Sequence, residues 1–546
     1  MELPKAECKK VMEKIFRHLD GIAVAPTIQV LTKKGIINFI QAEKQFTVED
    51  ILYKFGGNPG YLKVGIRLLE NQGWLESQQF QGNIEYVLSE KGFIALELAE
   101  FYEELAKYIP AIIRIVSSII YKINRISKED ISSFKSLVEK SKNQWNLPFD
   151  IEPEIHNQII HHLDGMLVGP IIVSLAMRNI FDRFFSQSYV LNLKELEQDC
   201  EYWDNIFEPL ILQNWVIRQS EYLKLTSRGI FAASKAYAYG VTVSYLPLFA
   251  QLENLLFDNP NILDQRMTNG EESHVDRQIN IWASSHSHKT YFEKVYKILV
   301  EIFNRPIAEQ PLGIAEIGCG DGSFLKGAYE IIKEKTERGK VLTEHPLIMV
   351  GADYNKVSYE TAKKTLTEVN IPHCVLFGDI NEPEILANQL WSEHHIRLQD
   401  LLNIRAFVDH NRKYISPTSS VQDCQINSTG TFSNRGKVIP NHQLVQNLIE
   451  HLGRWCPYVE LFGLLVLELH IIPPKLAANS IGKTLATPYD ATQGYTDQYP
   501  VELPVFLAAA EAAGLVANSC YQTKYPPNDL ATISINYFTS ASKIKP

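Results

Sequence analysis

GIAEIGCGDGSFL, residues 313–325, decides the fold. Its opening residues are small or apolar and read as a buried strand; Gly318, Gly320 and Gly322 then carry a turn, and Ser323-Phe324-Leu325 opens a helix. A glycine turn between a strand and a helix brings backbone close to a ligand. The P-loop needs Lys and then Ser or Thr after its last glycine, whereas Gly322 is followed by Ser-Phe-Leu, so it is excluded. The dinucleotide fingerprint is GxGxxG, whereas here Asp321 stands between glycines. A carboxylate there repels a pyrophosphate and suits a cationic ligand. Glu316 adds a second acid at the strand's end.

The next two strands carry acids at matching places. PLIMVGADYN (346–355) ends in Asp353, where a carboxylate can accept both ribose hydroxyls. PHCVLFGDIN (372–381) ends in Asp379 and Ile380, where an adenine amino group can be bound. The cofactor set read from sequence is therefore Glu316, Gly318, Gly320, Gly322, Asp353, Asp379 and Ile380, and the cofactor it suits is S-adenosylmethionine. From about residue 263 to 546 apolar strands alternate with amphipathic helices, as in a doubly wound, Rossmann-like α/β methyltransferase domain.

Working outward, 546 residues exceed one ordinary core. An apolar fraction of 45% and a charged fraction of 21% fit a globular chain. No run reads as a bilayer span and the N-terminus has no apolar signal core. Seven cysteines without a CxxC pair fit reduced thiols in a cytoplasmic protein. A formal charge of −10 argues against nucleic acid as partner.

The front half contains a duplication. FRHLDGIAVAPTIQVL (16–31) answers IHHLDGMLVGPIIVSL (160–175), with His18, Asp20, Gly21 and Pro26 meeting His162, Asp164, Gly165 and Pro170. RLLENQGWLES (67–77), LSEKGFIALELAEFY (88–102) and YIPAIIRIV (108–116) recur in order as LILQNWVIRQS (210–220), LTSRGIFAASKAYAY (225–239) and YLPLFAQLE (245–253). Thr47 with Asp50 three residues on predicts a capped helix, then a second helix, a β-wing and a third helix. That order is a winged helix. The putative recognition helix at 61–71 carries only Lys63 and Arg67, and its counterpart at 203–213 has no Lys or Arg, so a packing or dimerisation module fits better than a DNA reader. The expected division is 1–145 for the first repeat and helical extension, 146–262 for the second repeat, and 263–546 for the methyltransferase domain with an insertion near 413–440.

Two further stretches concentrate polar chemistry. VDRQINIWASSHSHKTYFEKV (275–295) is dense in polar and aromatic groups, and His288, Lys289 and Tyr291 are its substrate-binding candidates. On LFGLLVLELHIIPP (461–474) Glu468 and His470 fall at a strand end, where open α/β sheets bind ligands.

Together IGCGDGSFL, NIWASSHSHKTYF (280–292), STGTFSNRGKVIP (428–440), LVLELHIIPP and ATPYDATQGYTDQYPVE (486–502) resemble the C-methyltransferase domains of polyketide synthase loading modules, the apratoxin type. The resemblance covers most of 275–520, and the duplicated front half is similar to the helical lid or adaptor of those enzymes. It implies methylation of the α-carbon of a malonyl-derived group on an acyl carrier protein, with neighbouring synthase domains as partners and no nucleic acid or membrane. Some members use iron or manganese. The resemblance places the ligands at Gln493 and Gln498 with His470, but a His is expected where this chain has Gln493. Amides are poor sole ligands for a transition metal, which puts metal dependence in doubt.

Carbon methylation needs an enolate, made by a chelating metal or by loss of carbon dioxide from a malonyl-type thioester. The sequence favours coupled decarboxylation, with His470, Gln493, Gln498 and Tyr489 as donors to the enolate and Arg405 or Lys289 holding the carboxylate. Two alternatives stay open: a small-molecule O-methyltransferase with His470 as general base, and a non-catalytic regulator that binds S-adenosylmethionine or a carrier protein.

Overall fold

A computed structural model describes residues 3–80, 83–122, 126–196, 200–268, 270–419 and 426–541. It divides into two compact units, one of residues 1–287 with 435–438 and 474–496, the other of 288–434, 439–473 and 497–546. The expected insertion near 413–440 lies partly outside the described residues.

The first unit holds the duplication. Helix α1 (Lys5–Lys33) is followed by α2 (Val48–Phe55), whose start is the predicted cap: the Asp50 amide donates to Thr47 Oγ1 at 3.2 Å and the Thr47 amide to the Asp50 carboxylate at 2.8 Å. Helix α3 (Pro59–Asn71) starts with a proline at its first position, where a missing N–H costs nothing. Strands β1 (Leu75–Phe80) and β2 (Asn83–Leu88) pair antiparallel as the wing. After α4 (Lys128–Lys142) the pattern repeats with α5 (Pro153–Met177), α6 (Cys200–Leu212) and the wing β3 (Val216–Gln219) and β4 (Tyr222–Leu225).

The copies pack on each other through α1 and α5. His18 meets Tyr239 at 2.8 Å, and His162 meets Tyr102 at 2.8 Å, so each repeat's histidine is tied to the tyrosine at the matching place in the other repeat. Arg67, one of two bases on the putative recognition helix, is buried against Asp490 at 2.7 Å and is not offered to nucleic acid. One sequence expectation needs correction here. Helix α5 is long and apolar enough to cross a membrane, but 83% of its apolar window is buried, because it is the central core helix of this unit.

The second unit begins within α7 (Arg277–Ile302), at His288. Its sheet contains β5 (Gly313–Ile317), followed by helix α8 (Ser323–Lys335), then β6 (Ile348–Asp353), β7 (His373–Phe377) and β8 (Leu401–Ala406). Helix α9 (Asn441–Val459) precedes β9 (Leu464–Leu469). The chain then contributes helix α10 (Ala486–Gly494) to the first unit, before β10 (Leu515–Ala517), β11 (Thr523–Tyr525) and β12 (Ile533–Ser540) close the sheet. Strand order is β10-β12-β9-β8-β5-β6-β7, with β11 also paired to β12. The five strands β5 to β9 are parallel, and β12 runs antiparallel to β9. The order reverses between β5 and β8, which is where an open α/β sheet leaves a crevice at its carboxyl edge. This is the Rossmann-like methyltransferase fold expected from sequence.

Candidate active site

The glycine turn leaves β5 at that crevice. Gly318, Gly320 and Gly322 have φ of +79°, +52° and +76°, a backbone region that side chains with a Cβ rarely adopt. Their surroundings differ. A Cβ on Gly318 would lie 2.4 Å from Val408, while one on Gly320 would meet nothing within 4 Å. The turn is therefore packed on one side and open at its tip. The Gly318 amide donates to the Ala352 carbonyl at 2.7 Å and the Gly320 amide to Asp353 at 3.0 Å, which ties the turn to the end of β6.

Three acids converge there. Glu316 is buried, and its Oε2 has no hydrogen-bond partner among the described residues. Burial pushes its carboxyl well above the ordinary range, and the carboxylates of Asp321 and Asp353 push the same way. Burial also raises Asp353, although the amides of Asn355, Gly320 and Tyr354 oppose the shift. A buried acid with an unused oxygen beside two more carboxylates lacks a cation, and the ammonium and sulfonium of S-adenosylmethionine fit that need. Asp379 differs: burial raises it, but Lys413 at 2.6 Å and the Asn381 amide and side chain outweigh burial and hold it below the usual range. Ile380 offers no side-chain chemistry, and its carbonyl accepts from Trp455 Nε1 at 2.8 Å.

The turn after β8 carries a group that sequence reading passed over. Phe407 has φ +59°, uncommon for a bulky residue, and its ring stacks on His288 with centroids 4.2 Å apart. Tyr291 lies against Phe407 and Tyr525. Burial and the neighbouring His410 imidazole push His288 down to about 3, so it is neutral at physiological pH. His410 Nδ1 meets Glu468 Oε1 at 2.5 Å, while the His410 amide donates to Oε2 at 3.1 Å and the Leu469 amide to Oε1 at 2.6 Å. A carboxylate on Nδ1 fixes the tautomer and leaves Nε2 as the working nitrogen. Val408, two residues before His410, packs on Gly318, and His410 acts electrostatically on His288, so the turn that carries this imidazole adjoins the glycine turn. The signal in the sequence was VDHNRKY at the end of one strand with Glu468 at the end of the next.

Several sequence candidates have other work. His470 was read as donor, base or metal ligand, but both its nitrogens are engaged: Nδ1 with the Val501 carbonyl at 3.0 Å and Nε2 with Ser534 at 2.7 Å. Burial lowers it to about 4, so it is a neutral core group. Arg405 was expected to hold a carboxylate, yet it is fully buried, pairs with Asp409 at 2.6 Å and lies over Trp455. His451 meets the same Asp409 oxygen at 2.9 Å, and Arg412 donates to the Asp409 carbonyl at 2.8 Å, so these groups brace the turn carrying His410. Lys289 is exposed. Gln498 is half-buried in the second unit. Tyr489 and Gln493 sit on α10 in the first unit; Gln493 is buried and its Oε1 has no partner among the described residues. The set His470, Gln493 and Gln498 does not fit a transition metal, because its one imidazole has no free nitrogen and the rest are amides. No group of three or more His, Cys, Asp or Glu suited to a metal occurs among the described residues.

Three family models match in order: the AprA N-terminal domain over residues 11–77, the AprA winged helix domain over 164–259 and the AprA MT2-like domain over 272–536. The chain belongs to the AprA-type methyltransferases. It is an S-adenosylmethionine-dependent methyltransferase, with a winged-helix region ahead of the catalytic domain. Solved structures similar to this AprA-type chain include an O-methyltransferase family protein from Burkholderia thailandensis, at 12% identity and TM-score 0.38, covering 68% of this chain and 94% of that one. The mitomycin 7-O-methyltransferase MmcR matches at 11% and 0.40, covering 71% and 98%. The DszA carbon methyltransferase matches at 10% and 0.34, covering 74% and 96%. No protein of curated function matches.

Proposed function

We propose that this AprA-type enzyme methylates the α-carbon of a malonyl-derived acyl group carried by an acyl carrier protein, coupling the transfer to decarboxylation. The observation that carries the reading is His410, held by Glu468 and set beside the glycine turn through Val408. Glu316, Asp353 and the open tip at Gly320 would hold S-adenosylmethionine, which supplies an electrophilic methyl when bound. His410 takes over the donor role first read onto His470. As the bond from the α-carbon to the carboxyl breaks, carbon dioxide leaves and the electron pair moves onto the thioester as an enolate. With a proton on each ring nitrogen, His410 would donate from Nε2 to the enolate oxygen while Glu468, on Nδ1, balances the imidazolium charge. Phe407, stacked on His288 and packed against Tyr291, gives an aromatic wall that would shield the carbanion from water.

A second reading rests on the same imidazole. Neutral His410 with Nε2 unprotonated is a general base for a hydroxyl, which is O-methylation. The test is mass spectrometry of malonyl- and methylmalonyl-carrier protein, and of small phenols, each incubated with enzyme and labelled methyl donor. Labelled methyl on the acyl group together with loss of carbon dioxide, a net fall of about 30 Da before the label's own mass is added, supports the first reading. Labelled ether and no acyl product would replace it with the second.

A further inference from the structure

The end of β8 holds a bulky side chain where glycine would fit without strain. Phe407 has φ +59°, and its amide donates to the Leu467 carbonyl of β9 at 2.7 Å, which holds the backbone there. A left-handed conformation on a bulky residue costs free energy, and such outliers gather where a side chain has to be aimed. Here the aimed group is a ring. It stacks on His288 with centroids 4.2 Å apart and planes 18° apart, and Tyr291 meets it at 6.2 Å. No third ring packs on it among the described residues, and Phe407 is only half-buried. One face is covered and the other is open.

Two routes tie that ring to the glycine turn. Along the chain, the next residue, Val408, packs on Gly318. Through side chains, His288 meets Phe292 at 5.6 Å and Phe292 meets Phe324 at 4.9 Å; Phe324 is the second residue of α8, the helix that the turn opens. Strand order then separates the two ends of the cofactor. Asp353 ends β6 and Asp379 follows β7, on one side of β5, and these acids are the ones suited to ribose and adenine. Strand β8 flanks β5 on the other side, and because β5 to β8 run parallel, all four ends share one edge. A sulfonium and its methyl, attached beyond the ribose, would lie on the β8 side.

Acids and an aromatic face treat a cation differently. The carboxylates at 316, 321 and 353 attract any positive charge, and the ammonium is present both before and after transfer. Only the sulfonium charge is lost, because the electron pair of the sulfur–methyl bond stays on sulfur when the methyl leaves. An aromatic face attracts a nearby cation through its quadrupole and does not hold a neutral thioether in that way. The imidazole behind it adds no opposing charge, since burial keeps His288 neutral. We propose that Phe407 is a specificity-determining residue for the cofactor: its open face meets the sulfonium, so the site holds S-adenosylmethionine more tightly than the demethylated product, S-adenosylhomocysteine. This rests on the cofactor and not on which acceptor atom is methylated.

Calorimetry on the full chain reads both ligands. Phe407→Leu should weaken S-adenosylmethionine about tenfold and leave S-adenosylhomocysteine within about twofold, and Phe407→Tyr should keep the parent's preference. Because leucine also changes shape, a second series replaces Phe407 with mono-, di- and trifluorinated phenylalanine, which weaken the ring's negative face at nearly constant size. Affinity for S-adenosylmethionine should fall with each fluorine while that for S-adenosylhomocysteine stays level. Equal losses for both ligands, or S-adenosylmethionine binding indifferent to fluorine, overturn the proposal and leave the ring a packing role. A parent chain that binds neither ligand overturns the cofactor assignment itself, and the proposal with it.

Discussion

Gly21 and Gly165 each rest against the backbone of the other repeat's histidine: a Cβ on Gly21 would lie 2.2 Å from His162 Cα, and one on Gly165 would lie 2.2 Å from the His18 carbonyl oxygen. The contact is reciprocal, because the repeats pair through a local two-fold relation at the crossing of α1 and α5. Neither backbone can yield without parting the helices. Gly21→Ala and Gly165→Ala should each destabilise the chain by about 1–3 kcal/mol or more, read as a lower denaturation midpoint. An unchanged midpoint would show that the crossing is looser than described.

Asp20 sets a pH dependence on the same unit. Burial raises its carboxyl to about 8, against hydrogen bonds from Thr487 and Gln72 and the charge of Arg17. The folded state holds a proton that the unfolded chain releases near its ordinary value, about 4. The contribution to stability is thus complete below pH of about 4, falls as pH rises, and is gone above about 8. Asp20→Asn mimics the protonated form, so its melting temperature relative to the parent should climb between pH 5 and 8, roughly, and level off above. A difference independent of pH would mean Asp20 is ionised throughout.

Glu468→Gln removes the charge, and one of the two accepting oxygens, that orients His410, and His410→Ala removes the group itself. Both should lower turnover by about 10²–10⁴ while leaving affinity for S-adenosylmethionine within about twofold. Equal loss of cofactor binding, measured by calorimetry, would assign the pair to the cofactor site instead.

The cofactor grip is tested at three positions. Gly320→Val fills the open tip of the turn and should abolish binding. Asp353→Ala should cost about 1.5–3 kcal/mol, and Glu316→Gln a similar amount, as each removes hydrogen bonds made by a charged group. Full affinity in the Asp353 variant would move the ribose elsewhere.

Arg405 separates a structural from a catalytic role. Arg405→Ala leaves Asp409 buried beside His451 without its guanidinium partner and should destabilise the chain by about 3–5 kcal/mol. A stable variant with a raised KM for the acyl substrate would restore the sequence-based role of holding a carboxylate.

Sequence alone determined what depends on local order. The glycine turn needs backbone freedom at three neighbouring positions, an acid at a strand end must face the sheet's edge, and Thr47 caps its helix from three residues away. The repeat was visible because its residues recur in order. Tertiary structure decided what depends on partners distant in the chain. Glu468 and His410 are 58 residues apart, so nothing in either strand announces their contact at 2.5 Å. His470 and Arg405 carried the right chemistry in a one-dimensional reading, but Ser534, Val501 and Asp409 had already claimed them. A side chain's reactivity is set by what surrounds it: burial with both nitrogens bonded makes His470 scaffold, and burial over Trp455 with Asp409 on one nitrogen does the same for Arg405.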